Sequence, residues 1–259
     1  MNTVLALSGV VIKEMYRRKD FYVLFVLTAI ITLGLGSLNF FNDDRIVRSV
    51  KDVCLLLIWI SSLVIATTTA ARQIPAEREN RTIFPLLAKP VTRGHVVTGK
   101  FAGCWFASGI TLLVFYLFFM VISGTREHAW PVLQYVQAFL FHWGVLGIVI
   151  ALVLLGSVVF TAASSNVTIS FILVLGIMFV GRHLNTVALQ QPEPLRTIVY
   201  TVYFLIPHLE WFDLRDLVIY GHQLVGWLDI FLGLVYAAVY TALLLVATWV
   251  VFARKALNL

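Results

Sequence analysis

Apolar positions in this chain come in long unbroken runs, and polar residues gather between them. About 20 apolar residues are needed to cross roughly 30 Å of hydrocarbon. Five segments qualify: residues 21–38, 53–71, 101–123, 136–163 and 230–253. A sixth run, residues 167–181, is shorter and follows the polar break Ser164, Ser165, Asn166, which is tight enough to make a hairpin with the preceding span. The pattern predicts an all-α membrane protein with six transmembrane helices in a single domain, the fifth span short or kinked.

Two segments carry a different rhythm. In residues 3–19, Val4, Leu7, Val11 and Met15 recur at helical spacing, while Lys13, Glu14, Arg17, Arg18 and Lys19 gather toward the end. That pattern predicts an amphipathic helix lying in the membrane interface. Residues 182–229 are too long for a turn and not uniformly polar. Ten apolar-leaning residues, 197–206, precede Pro207, and residues 208–218 follow it. Ten residues cannot span a bilayer but can dip into it and return, and Pro207 breaks a helix there. A short re-entrant or interfacial helix pair is expected, with Trp211, Phe212, Tyr220 and Trp227 as an aromatic belt.

Composition sharpens this picture. Hydrophobic residues make up 60% of the 259 and charged residues 12%, against about a quarter charged in soluble domains. Six spans leave no room for a separate catalytic domain, so an energy source is expected on another chain. A net charge of +6 raises nucleic acid as a partner, but basic residues beside apolar spans are topology signals first, and no nucleic acid is expected. Twelve Lys and Arg fall on the side holding both termini and residues 72–100, and seven on the other; the first side is therefore expected to be cytoplasmic. The first twenty residues lack the layout of a signal peptide. Cys54 and Cys104 fall inside spans, where packed thiols are expected rather than a disulfide or metal site.

Residues 72–100 form a charged island between two uncharged runs. Gly94, Gly99 and Lys100 match the start of a phosphate-binding P-loop, but Phe101 stands where Ser or Thr must hold magnesium and a span follows. No nucleotide is expected on this chain, and Gly94 and Gly99 are read as loosening the entry to the third span. Gly99 and Gly103 also match GxxxG, which lets helices pack closely in lipid. Within the island, the polar stretch from Glu77 to Thr82 offers directed ion pairs to a soluble partner through Glu77, Arg78, Glu79 and Arg81, and Phe84, Leu86 and Leu87 offer an apolar edge. Topology explains the Arg and Lys but neither Glu77 nor Glu79.

Elsewhere the chemistry is sparse. His183, His208 and His222 lie on the outer side with Glu210, Asp213 and Asp216, without the spacing of a metal-ligand set. His142 lies within a span near its outer end, where an interfacial role is expected. No charge sits at the centre of a span, which disfavours a proton or ion relay.

The run from Glu77 through Arg93 to Gly99 and Lys100 resembles the coupling-helix signature of ABC-2 type permeases, the membrane subunits of bacterial ABC transporters. Glu79, Thr82, Leu86, Leu87, Pro90, Arg93, Gly99 and Lys100 match in order; Arg81 and Pro85 depart from the pattern. Residues 205–216, with Pro207, Glu210, Asp213 and Asp216, are similar to the segment before the last span in permeases of the gliding-motility and nitrous-oxide-reductase maturation group.

The resemblance implies a half-transporter in the bacterial inner membrane, paired with a second permease copy or paralogue and resting on a dimer of separate ABC ATPase subunits, which bind ATP and magnesium. It implies that the segment from Glu77 to Leu87 carries ATPase movement into spans 2 and 3. Ser164, Ser165 and Asn166 would supply a second ATPase contact, and Arg17 and Arg18 would touch the ATPase or anionic lipid. Export is the expected activity. Two alternatives stay open: a non-transporting subunit acting on a periplasmic partner through residues 182–229, and a membrane-embedded lipid-modifying enzyme using Asp213 and Asp216.

Overall fold

Backbone groups inside a bilayer have no water to bond to, so an apolar run there must satisfy its own amides, and a helix does this within one segment. In the computed structural model, which describes residues 2–17, 19–37, 44–79, 92–190 and 192–254, every described apolar run is helical and the described residues contain no strand. The helices are α1 Asn2–Arg17, α2 Lys19–Ser37, α3 Asp44–Ala71, α4 Pro75–Glu79, α5 Arg93–Glu127, α6 Val132–Val159, α7 Ala163–Gln190, α8 Leu195–Leu205, α9 Arg215–Tyr220 and α10 Trp227–Arg254, with a 3-10 turn, Leu209–Phe212, between α8 and α9.

Five of these are long and apolar enough to cross a membrane, on α3, α5, α6, α7 and α10. The first predicted span falls on α2, whose described apolar stretch, Tyr22–Gly34, is shorter. The fifth span corrects the sequence reading. It is not truncated, because α7 runs 28 residues and its apolar part, Ala163–Gly181, is 19 residues long. The hairpin before it turns at residues 160–162, and Ser164, Ser165 and Asn166 already belong to the helix. Asn166 faces inward: its Nδ2 donates to Val153 O at 3.1 Å and Ala71 O at 3.4 Å, and its Oδ1 accepts from Ser170 Oγ at 3.0 Å. A polar triplet read as a break is in part an interhelical bond network.

Helix α6 is the centre of the bundle, packed against α3, α5, α7 and α10. Its contact with the antiparallel α5 is reciprocal. Each helix carries Trp-x-x-x-Gly, Trp105 with Gly109 and Trp143 with Gly147, and each indole covers the other helix's glycine. A second close contact sets α1. The GxxxG of Gly99 and Gly103 faces α1 of the same chain, where added Cβ atoms would stand 2.8 Å from Leu7 Cβ and 2.7 Å from Val11 Cβ. Gly99 therefore brings two helices together rather than loosening an entry, and Ser8 Oγ seals the contact by donating to Gly99 O at 3.0 Å. Val11 and Met15 of α1 are buried, while Lys13, Glu14 and Arg17 stay exposed.

On the face opposite the island, α8 leads to Pro207, as the proline predicts, and the segment then closes over the bundle. Leu209 and Phe212 are buried, and His208 N donates to Tyr236 OH of α10 at 3.0 Å. Buried Gln137 exchanges two bonds with the backbone of Val225, 2.8 and 3.1 Å. None of the α8 residues is buried.

Candidate functional site

The described part of the charged island is tied inward to the helix ends. After α3 the chain makes one tight turn, with Gln73 N donating to Ala70 O at 3.2 Å. Pro75 then opens α4; its fixed φ suits the first helical position and its missing N–H costs nothing there. Two residues later Glu77 Oε1 meets Lys100 Nζ at 2.6 Å, and the same ammonium donates to Gln73 Oε1 at 3.1 Å. Lys100 is buried in α5, and a buried ammonium needs both a counter-charge and further acceptors. Glu77 and Gln73 supply them. This explains an acidic residue in the island that topology left unexplained, and it gives the lysine of the P-loop look-alike a structural occupation inside an unbroken helix.

Two arginines fasten the same surface. Arg78 Nη2 donates to Val158 O, at the C-terminal end of α6, at 3.4 Å; burial pushes its guanidinium below the ordinary value. Arg93 donates to Phe252 O and, at 3.0 Å, to Ala253 O, and its guanidinium lies 5.3 Å from the centre of the Phe252 ring. Last-turn carbonyls carry the negative end of a helix dipole and lack intrahelical partners, so a cation there is favourable. Asn166 does the same with a neutral amide for Ala71 O of α3. Beneath these bonds Ile74, Val96, Val97, Val158 and Phe252 form a buried apolar cluster. Thr92 caps α5, accepting from His95 N at 3.3 Å.

Thus Glu77, Arg78 and Arg93 are brought together with α5, α6 and α10, and their side chains bond within the chain. Glu79 is exposed. Arg81, Thr82, Phe84, Leu86, Leu87 and Pro90 lie outside the described residues, as does Arg18. Arg17, Ser164 and Ser165 are exposed, but Asn166 is fully buried and takes no part in a surface contact.

On the opposite face, Asp213 is held by Arg215 through two bonds of 2.8 Å, which raise the arginine's pKa, and Arg215 also reaches Asp52 of α3 at 3.5 Å. Asp216 is exposed. Asp213 is thus half of a local ion pair that ties α9 toward α3. Pro207 is half-buried, and Glu210 lies beside Gly181 of α7, with His208 Nδ1 3.6 Å from its Oε1.

Sequence reasoning misplaced His142. It lies on the third turn of α6, about 15 Å from the helix start at 1.5 Å per residue, and is 1% exposed. Its ring stacks on Trp59 at 5.2 Å, with Nε2 2.8 Å from Ser62 Oγ and Nδ1 3.3 Å from Tyr116 OH. Ser62 gives its only proton to Trp59 O at 2.9 Å, so the network closes with a neutral imidazole protonated on Nε2 and Tyr116 donating to Nδ1. The histidine is a buried junction of α3, α5 and α6 rather than an interfacial group.

Long apolar helices around a central span, with a polar clamp at one end and a folded cover at the other, define a multi-pass α-helical membrane protein. A family model described as ABC-2 family transporter protein matches residues 57–257, and the chain belongs to that family. No curated protein matches it.

Proposed function

We propose that the chain is the permease subunit of an ATP-driven ABC transporter, with the ATPase on a separate chain that binds ATP and magnesium. It works in the bacterial inner membrane as an exporter, paired with a second permease, with the island and both termini on the cytoplasmic side. The ATPase docks on Glu79 and the neighbouring residues 80–91, with Ser164 and Ser165 as a second contact. Movement of α4 reaches α5 through Glu77 and Lys100, reaches α6 through Arg78, and passes to α10 through Arg93 and the cluster around Ile74.

The observation that carries this reading is the ion pair between half-buried Glu77 of α4 and buried Lys100 of α5, 2.6 Å long and braced by Gln73. It makes the start of the docking segment and the start of a span one mechanical unit. A loop that only joined two spans would need no such pin. The experiment is co-expression with a soluble ABC ATPase, followed by purification and ATP turnover. The complex is expected to purify intact and hydrolyse ATP, and the isolated chain to hydrolyse none. Failure of any ATPase to remain bound would remove the reading.

A further inference from the structure

The 3-10 turn Leu209–Phe212 of the outer cover seats a carboxylate where it has few partners. Glu210 leaves 11% of its side chain exposed and the adjoining His208 leaves 6%. Glu210 Oε2 and His208 Nδ1 are both buried without a hydrogen-bond partner. The imidazole nitrogen stands 3.6 Å from Glu210 Oε1, just beyond the roughly 2.7–3.2 Å of an N–H···O bond. The carboxylate rests on the backbone of α7, since a Cβ added at Gly181 would stand 2.9 Å from Oε2. His208 N ties the same turn to Tyr236 OH of α10 at 3.0 Å, and Leu209 and Phe212 are buried with it.

An ionised carboxylate held out of water without a counter-charge is costly. Among the described residues no Lys or Arg pairs with Glu210, and Arg215 of the same segment is bonded to Asp213 and Asp52. The groups that face the pair are Tyr203 from α8, Tyr236 from α10 and Gly181 from α7, with His183 exposed two residues further on; α6 meets the turn through Phe141 against Phe212. Tyrosine hydroxyls are neutral up to about pH 10, so the group that can set a positive charge against Glu210 is the His208 ring. That ring lies 4.3 Å from the ring of Tyr203 and 4.7 Å from that of Trp211, and aromatic faces within about 6 Å attract a cation. A metal ion is not selected, because no third His, Cys, Asp or Glu of the described residues gathers with the pair.

We propose that His208 and Glu210 form a proton-operated latch on the outer cover. With one proton shared between them, Nδ1–H donates to the carboxylate, the charge on Glu210 is balanced, and the turn stays seated on α7 and α10. When the proton leaves, the carboxylate is stranded against Gly181 and reaches water only if the turn lifts. The closed cover therefore holds a proton that the lifted cover releases, so closure is favoured at low pH and lost as pH rises. The latch lies on the face opposite the Glu77 to Lys100 pin. Loss of ATPase coupling leaves it standing, and its own failure leaves the coupling reading intact.

The test is hydrogen–deuterium exchange of the full chain in phospholipid nanodiscs, read on the peptide covering residues 206–214 with each rate compared with the intrinsic amide rate at the same pH. The range runs from about pH 5.5 to about pH 8.5, either side of the ordinary histidine value of about 6.5. Protection of this peptide in the parent is expected to fall several-fold as pH rises, while that of α6 holds. Glu210→Gln needs no counter-charge and is expected to keep the low-pH protection throughout. His208→Phe keeps a ring between Tyr203 and Trp211 but no proton site, and is expected to show low protection at every pH; Glu210→Gln carries the comparison if this variant does not fold. His183→Gln with His222→Gln is expected to respond as the parent does. Flat protection in the parent, the same fall in Glu210→Gln, or loss of the response in the His183 and His222 variant would overturn the latch.

Discussion

Trp105 and Trp143 lock α5 to α6 by an exchange: their rings stack at 4.4 Å, Trp105 Nε1 donates to Trp143 O at 3.0 Å, and Trp143 Nε1 donates to Trp105 O at 3.2 Å. Each ring also occupies the space that a side chain on the opposing glycine would need. An added Cβ at Gly109 would stand 2.4 Å from Trp143 Nε1, whereas at Gly176 on α7 it would meet nothing within 4 Å. Gly109→Ala is therefore expected to destabilise the fold by about 1–3 kcal/mol, the usual cost of overpacking. Gly176→Ala is expected to stabilise it by about 0.5–1 kcal/mol through helix propensity. Unfolding in mixed detergent micelles measures both, and equal effects would remove the exchange.

Helix α1 is held by glycine spacing rather than by side-chain interdigitation alone. Gly103→Leu places a side chain where Val11 Cβ and Ser8 O already stand, 2.7 and 3.0 Å from the new Cβ, and is expected to lever α1 off α5. Val11 is 2% exposed, so a Val11→Cys reporter is expected to resist a water-soluble thiol reagent in the parent and to react once Gly103→Leu is added. Cys54 and Cys104 are buried, 1% and 0% exposed, and add little background. Equal labelling in the two proteins would show that α1 is held by something else.

Much of this architecture can be read from hydrophobic runs, and the missing parts share one cause. Apolar periodicity reports which residues avoid water, not which helix they touch. Residues 101–123 were recognisable as a span, but nothing in their hydropathy extends the helix back to Arg93 or pairs Lys100 with Glu77. GxxxG at Gly99 and Gly103 was visible without its partner. Trp-x-x-x-Gly on two consecutive spans carries no such signal in the sequence, since glycine is common in membrane helices and the motif does not say which helix it faces. Ser164 to Asn166 read as a break because polarity within a span suggests an end, whereas an asparagine bonded to backbone carbonyls of two other helices is compatible with the interior. His142 was displaced for the same reason.

That histidine supplies a third test. His142→Leu removes the acceptor of the buried Tyr116 hydroxyl, and an orphaned buried donor costs about 1–3 kcal/mol. Tyr116→Phe removes the donor as well. In the His142→Leu background the second substitution is expected to recover part of the loss, a non-additive pattern read by unfolding titration of the four proteins. Simple additivity would mean that the two groups do not bond.

The pin between α4 and α5 is open to the same logic with a functional readout. Breaking a buried ion pair on one side costs about 3–5 kcal/mol, whereas replacing both partners with neutral groups can be nearly silent. Lys100→Met with Glu77→Gln is therefore expected to melt closer to the parent than Lys100→Met alone. A detergent melt of both variants tests the energetics.

Coupled ATP turnover by the purified permease and ATPase complex tests the central claim most directly, measured for the parent, for Glu77→Lys, for Lys100→Glu and for both together. Each reversal alone sets like charges against each other where the structure holds them 2.6 Å apart as an ion pair. Retained ATPase binding with strongly reduced turnover is predicted for both single reversals, and recovery toward the parent rate for the pair. Parent-like turnover in the folded single reversals would contradict the account, because motion would then reach the spans without passing through Glu77 and Lys100.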